Sequence, residues 1–151
     1  MSNSSPRVDR RQVRRNFLRA APHYAASSVV AREVNSRMLE RLDYVKIEPR
    51  RVLDLGCGTG GGLTALAERY RKAQLVGADL SEAMLRQAQG ERSALRWLMP
   101  FLRGNATPLV AADAGALPFQ RASFGLLWSN LMLQWASDPV AIFAEMHRVL
   151  D

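Results

Sequence analysis

Val52-Leu53-Asp54-Leu55-Gly56-Cys57-Gly58-Thr59-Gly60 is the stretch on which the reading of this chain turns. A short apolar run from Arg51 to Leu55 that ends on a glycine has the pattern of a buried strand closing into a tight turn. Three glycines in that turn let the backbone bend sharply into a helix and let a ligand come close; a side chain there would block it. The glycines alone leave two cofactor classes open, because Gly56, Gly58 and Gly61 also satisfy the GxGxxG spacing of nicotinamide-binding folds.

Downstream, Leu63, Leu66, Ala67 and Tyr70 fall on one face of a helix, and residues 74–78 form a second short apolar strand that runs into Asp79. Ser81 is an N-cap for a helix reaching about Gln89. Residues 91–104 read as a broken amphipathic helix split by Pro100. A third strand, 109–112, ends at Asp113, and a fourth, 124–128, ends at Ser129 and Asn130. Asp138 and Pro139 open a final helix whose inner face is predicted to be Val140, Phe143, Ala144, Met146 and Leu150. Upstream, Val29, Val30, Val34, Met38, Leu42 and Val45 recur at mostly helical spacing, which predicts a helix over about 26–43, before Pro49. Short apolar strands alternating with helices imply an α/β fold: a Rossmann-like three-layer sandwich with a mainly parallel sheet and ligands at the carboxyl ends of the strands.

The acidic residues separate the two cofactor classes. Asp54 precedes the turn, Asp79 ends the second strand about 20 residues on, where a carboxylate can accept both ribose hydroxyls, and Asp113 ends the third. With these three acids in place, the chain resembles the class I S-adenosylmethionine-dependent methyltransferases over about residues 17–150, their DLGxGxG motif standing here as Asp54 to Gly60. The resemblance implies S-adenosyl-L-methionine as cofactor, with Asp54, Gly56, Cys57, Gly58 and Gly60 along its methionine and ribose part. It also implies Asp79 and Leu80 at the ribose, Asp113 and Ala114 at the adenine, and Asn130 close by. Read without the resemblance, Asp79 and Asp113 could each be an ordinary capping or turn aspartate, and Cys57 a small filler in the turn.

Two further segments narrow the resemblance. Arg19-Ala20-Ala21-Pro22-His23-Tyr24 and Trp128-Ser129-Asn130-Leu131-Met132-Leu133-Gln134-Trp135 look like those of the malonyl-[acyl-carrier protein] O-methyltransferases of biotin synthesis. Complex I assembly factors that resemble an arginine hydroxylase share much of the pattern, and a cofactor-binding remnant without catalysis is the third reading. The first implies methyl transfer to the free carboxylate of a malonyl thioester on acyl carrier protein, with Tyr24, Asn130 and Gln134 as catalytic residues and Trp135 near the substrate. Their plainer roles are a helix-anchoring aromatic for Tyr24, loop polar groups for Asn130 and Gln134, and a core filler for Trp135. In that family the last helix leads into further strands, so the sheet here is expected to be incomplete, leaving 124–128 as an unpaired apolar edge.

Bulk properties fit this reading. The chain has 151 residues, is 48% hydrophobic and 23% charged, and so is expected to hold one globular domain, residues 16–151, behind a flexible basic arm, residues 1–15. Arg7, Arg10, Arg11, Arg14 and Arg15 make that arm basic, and it reads as a solvated tail, a surface for an acidic partner, or a targeting peptide. The formal charge of +7 would favour the approach of an acidic carrier protein. No nucleic-acid-binding pattern stands out, no apolar stretch approaches the length of a membrane span, and no ligand spacing suggests a metal. A lone cysteine, Cys57, suits a reducing cytoplasm.

Overall fold

The computed structural model describes Gln12, Arg15, residues 29–98 and residues 107–151. Tyr24 and the basic arm, apart from Gln12 and Arg15, lie outside the described residues. The elements run α1 (Val29–Arg41), a 3-10 turn (Leu42–Tyr44), β1 (Arg51–Leu55), α2 (Gly61–Arg69), β2 (Gln74–Asp79) and α3 (Glu82–Leu98). They continue with β3 (Leu109–Ala111), β4 (Leu126–Trp128), a second 3-10 turn (Leu133–Trp135) and α4 (Pro139–Val149).

The four strands form one parallel sheet in the order β3-β2-β1-β4, so β1, which leads into the glycine turn, sits in the middle beside β2. Period-two alternation divides its side chains between two cores. Leu53, Leu55, Val76 and Ala78 face α4 with Phe124, Ile142, Met146 and Val149. Val52, Leu75 and Trp128 face the other way, onto Leu63 and Leu66 of α2, Leu85 of α3 and Leu42. Helices on both faces make the three layers that the strand–helix alternation predicts.

Gly77 shows how tightly the layers meet: a Cβ there would lie 2.8 Å from Leu109 Cδ2, 3.0 Å from Leu63 Cδ1 and 3.1 Å from Cys57 Sγ. Only a residue without a side chain lets β3, α2 and the glycine turn close on β2 at this point.

Four sequence expectations need correction. Helix α3 does not end near Gln89 but continues through Leu98, so the amphipathic pattern of 91–98 is the same helix carried on. The buried face of α4 is Ile142, Met146 and Val149, spaced 4 and 3 apart, whereas Val140 is 79% and Phe143 55% exposed. In α1, Val29 and Val30 are exposed, and the side turned inward carries Asn35, Met38 and Leu39. Finally, the outer side of the β4 segment is not bare at its start. Leu150 bridges Phe124 in parallel, and the Asp151 N–H donates to the Phe124 carbonyl at 3.1 Å.

Candidate functional site

The carboxyl ends of β1, β2 and β3 open on one side of the sheet, where two clefts meet at the glycine turn. Gly56, Gly58 and Gly60 all take positive φ (78°, 53° and 86°), which only glycine adopts without cost. The Gly56 and Cys57 N–H groups donate to the Ala78 carbonyl at 2.7 and 3.1 Å, which fixes the turn against the end of β2. Asp79 completes that joint: its Oδ2 accepts from the Gly58 N–H at 2.9 Å and its Oδ1 from the Ser81 N–H at 2.8 Å. A carboxylate can accept about four hydrogen bonds, so both oxygens keep capacity for ligand hydroxyls. Ser81 caps α3, accepting from the Met84 N–H at 3.4 Å.

The first cleft is a concave site partly open to solvent at the carboxyl ends of the strands. Asp79, Leu80, Asp113 and Ala114 line it from the strand ends, and Asn130, Leu131, Met132 and Trp135 from the loop after β4. Asp113 Oδ1 accepts from the Gly115 N–H at 2.9 Å, a turn that carries the carboxylate to the cleft wall. Leu131 holds φ 54°, a conformation that costs a non-glycine residue about 1–2 kcal/mol and recurs at functional loops.

The second cleft lies on the other side of the turn, beneath α1. Arg32, Asn35 and Ser36 line it from α1, Asp54 from β1, Cys57 and Gly62 from the turn and α2, Trp128 from β4 and Asn130 from the loop after it. Gly62 keeps it open, since a Cβ there would come within 3.1 Å of Asp54 Oδ2, 3.3 Å of Asn35 Oδ1 and 3.5 Å of Trp128 Nε1. Trp128 Nε1 donates to Asn35 Oδ1 at 3.2 Å, and Asn130 Nδ2 donates to the Ala31 carbonyl at 2.8 Å. Asn130 Oδ1 is buried and accepts no hydrogen bond among the described residues.

Burial, and then the nearby charge of Asp79, raise the Asp54 carboxyl from 3.8 to about 7. Burial also raises Asp79, opposed by its two backbone hydrogen bonds. Two carboxyls raised together in a cleft mark a place where a cation or a set of donors is welcome.

Most residues singled out in the sequence come together here. Asp79, Leu80, Asp113 and Ala114 line the first cleft, Asp54 and Cys57 the second, and Gly56, Gly58 and Asn130 both. Two do not join them. Gly60 lines neither cleft; its missing side chain admits Ala88 of α3, whose Cβ would be 3.2 Å from one at position 60. Gln134 is exposed on its 3-10 turn and also lines neither, while its neighbour Trp135 does. Arg32, Asn35, Gly62 and Met132 went unread. For Asn35 the signal was a polar residue one position from the apolar series of α1.

Residues 53–151 match the methyltransferase domain family described as "Methyltransferase domain". The chain belongs to that family. Among its relatives, a malonyl-[acyl-carrier protein] O-methyltransferase of Methylovorus sp. (strain MP688) is 46% identical over 143 residues, covering 95% of this chain and 47% of the relative. One of the same name from Gallionella capsiferriformans is 45% identical over 95% of this chain and 48% of its own. The chain thus spans about half the length of the curated relatives it matches.

Solved structures agree in fold. A solved structure from Methanococcus maripaludis superposes with a TM-score of 0.67 at 18% identity, over all of this chain and 63% of that one. A Haemonchus contortus N-methyltransferase in complex with S-adenosylhomocysteine superposes with a TM-score of 0.64 at 28% identity, covering 79% of this chain and 26% of that one.

Proposed function

We propose that the two clefts together hold S-adenosyl-L-methionine, and that the chain forms the cofactor-binding part of an enzyme that methylates the free carboxylate of a malonyl thioester on acyl carrier protein. The observation that carries the first half is the division of chemistry between the clefts. The first pairs the Asp79 and Asp113 carboxylates with apolar Leu80, Met84, Ala114 and Ile142, which suits a ribose and a flat base. The second offers Asp54 and Asn130 as acceptors and Arg32 as a cation, the complement of an amino acid's ammonium and carboxylate. Gly56, Gly58 and Asn130 border both, so one ligand can run from nucleoside to amino-acid head across the turn.

The acceptor rests on the relatives, which are named for malonyl-[acyl-carrier protein], and on the positive charge of the chain, which would speed the approach of an acidic carrier. The cofactor supplies an electrophilic methyl on a sulfonium. A carboxylate is already ionised near neutral pH, so the protein's share is alignment, proximity and exclusion of water rather than proton transfer. Asn130 lies where an acceptor could be steered, Tyr24 is a second candidate for that role, and Gln134 is set aside because of its exposed position. The basic arm and the domain from residue 16 are kept as proposed units, and the single, buried Cys57 suits a reducing cytoplasm.

Calorimetric titration with S-adenosylhomocysteine tests the site, with Asp79→Ala as control. Saturable binding that the control loses supports it; a folded chain that binds nothing refutes it. A base-labile methyl ester on malonyl carrier protein is the expected product, and an oxidised arginine on a partner with no ester would overturn the acceptor.

A further inference from the structure

Helix α1 covers the second cleft but buries none of its own residues. Its carboxyl end is anchored, because Leu42 sits in the core and Arg69 holds Asp43 at 2.6 Å. Its first two turns meet the sheet through polar contacts to the residues that end β4: Asn130 to the Ala31 carbonyl and Trp128 to Asn35. The helix is thus anchored in the core at its carboxyl end, while among the described residues its first two turns reach the end of β4 through polar contacts, and that is the end a ligand can bias.

Asn130 is the residue best placed to supply that bias. Its Nδ2 contact with a carbonyl sets the orientation of the amide, since a carbonyl oxygen facing a carbonyl oxygen at 2.8 Å would repel. That leaves Oδ1 as the buried acceptor without a donor, a deficit that an incoming N–H group removes. The side chain borders both clefts, so a donor at the amino-acid head of the cofactor comes within its reach.

We infer that Asn130 is a positioning residue that couples cofactor binding to the seating of α1: satisfied at Oδ1 by the cofactor's ammonium, it holds Ala31 firmly and closes the helix over the acceptor side of the cleft. This rests on the cofactor placement proposed above. Coupling of this kind is reciprocal: seating of α1 tightens cofactor binding as much as the cofactor favours the seated helix.

The test is amide hydrogen exchange of the chain with and without saturating S-adenosylhomocysteine, alongside calorimetry. In the wild type, the ligand should slow exchange at the amides of Glu33 to Arg41 by about fivefold or more, the worth of one net hydrogen bond. Asn130→Asp keeps an acceptor for the ammonium but cannot donate to Ala31, so it should bind the ligand and lose the slowing. A merely structural Asn130 would loosen α1 equally with and without ligand and leave the ligand-induced difference intact. The inference is overturned if the ligand binds the wild type without protecting α1, or protects it equally in Asn130→Asp. A folded chain that binds no ligand instead refutes the cofactor placement, and the coupling with it. Should Asn130→Asp fail to fold, Asn130→Ala takes its place, and α1 protection by bound ligand that persists in it overturns the inference.

Discussion

Met132 occupies the space that a side chain on Gly56 would need: a Cβ there would lie 2.6 Å from both Cβ and Cγ of Met132. The first glycine of the turn is therefore fixed by its backbone angle and by a methionine from the loop after β4, rather than by the ligand alone. Gly56→Ala should cost about 2–5 kcal/mol, summing a left-handed backbone and an overpacked contact. Chemical denaturation of Gly56→Ala, Met132→Ala and the double variant checks this. Met132→Ala should restore part of the loss in the Gly56→Ala background; additive effects would show that the two do not compete for space.

Gly61 behaves differently. A Cβ there meets nothing within 4 Å, and the residue starts α2 without a positive φ. Gly61→Ala should stabilise the chain by about 0.4–1 kcal/mol through the unfolded state, as read by chemical denaturation without ligand, since Gly61 also lines the second cleft. A nicotinamide-type turn would use this third glycine for close helix packing, so a large loss of stability would speak for that geometry instead.

Asp54 makes stability depend on pH. Its carboxyl is raised from 3.8 to about 7, chiefly by burial. Between those values the folded chain keeps a proton that the unfolded chain has released, so stability falls as pH rises through the window and levels off above it. The effect is at most about 4 kcal/mol across the window. Asp54→Asn removes it, so its melting temperature should exceed that of the wild type by a margin that widens from pH 5 to pH 8. Parallel curves would show that Asp54 is not the group responsible.

Glu145 and Arg148 on α4 hold the loop that follows Asp113. Glu145 Oε2 accepts from the Leu117 N–H at 2.7 Å, and Arg148 donates to the carbonyls of Phe119 and Leu117 at 2.7 and 3.0 Å. The hydrogen bond from Arg148 lowers the Glu145 carboxyl from 4.5 to about 2. The support is therefore complete above its ordinary value and lost only as pH falls toward 2. Glu145→Gln should weaken S-adenosylhomocysteine binding by a few-fold to about tenfold and speed exchange at the Leu117 amide. Unchanged affinity with a faster loop would confine the pair to stability.

The central strands were legible because their signals are local. Arg51 to Leu55 and Gln74 to Asp79 are apolar runs with acids at their ends, and both are strands in the structure. What stayed hidden depends on contacts between distant segments. The buried face of α4 went to Ile142 rather than to Phe143 because the sheet selects among apolar residues of one helix. Asn35 is one polar residue beside the apolar series of α1, and its role comes from Trp128, 93 residues away, at hydrogen-bonding distance. Gly60 fitted the cofactor motif in sequence, yet its role in packing against Ala88 only appears once α3 is in place.

Gly77 carries a consequence for how such sequences diverge. The same small volume beside it is shared by Leu109, Leu63 and Cys57, each from a different part of the fold. Mutational drift at these four positions is therefore correlated: a larger residue at one is tolerated only where another has already shrunk. Substitutions accepted singly at the helix surface would have to arrive here in compensating pairs, which slows change around the turn regardless of any demand made by the ligand.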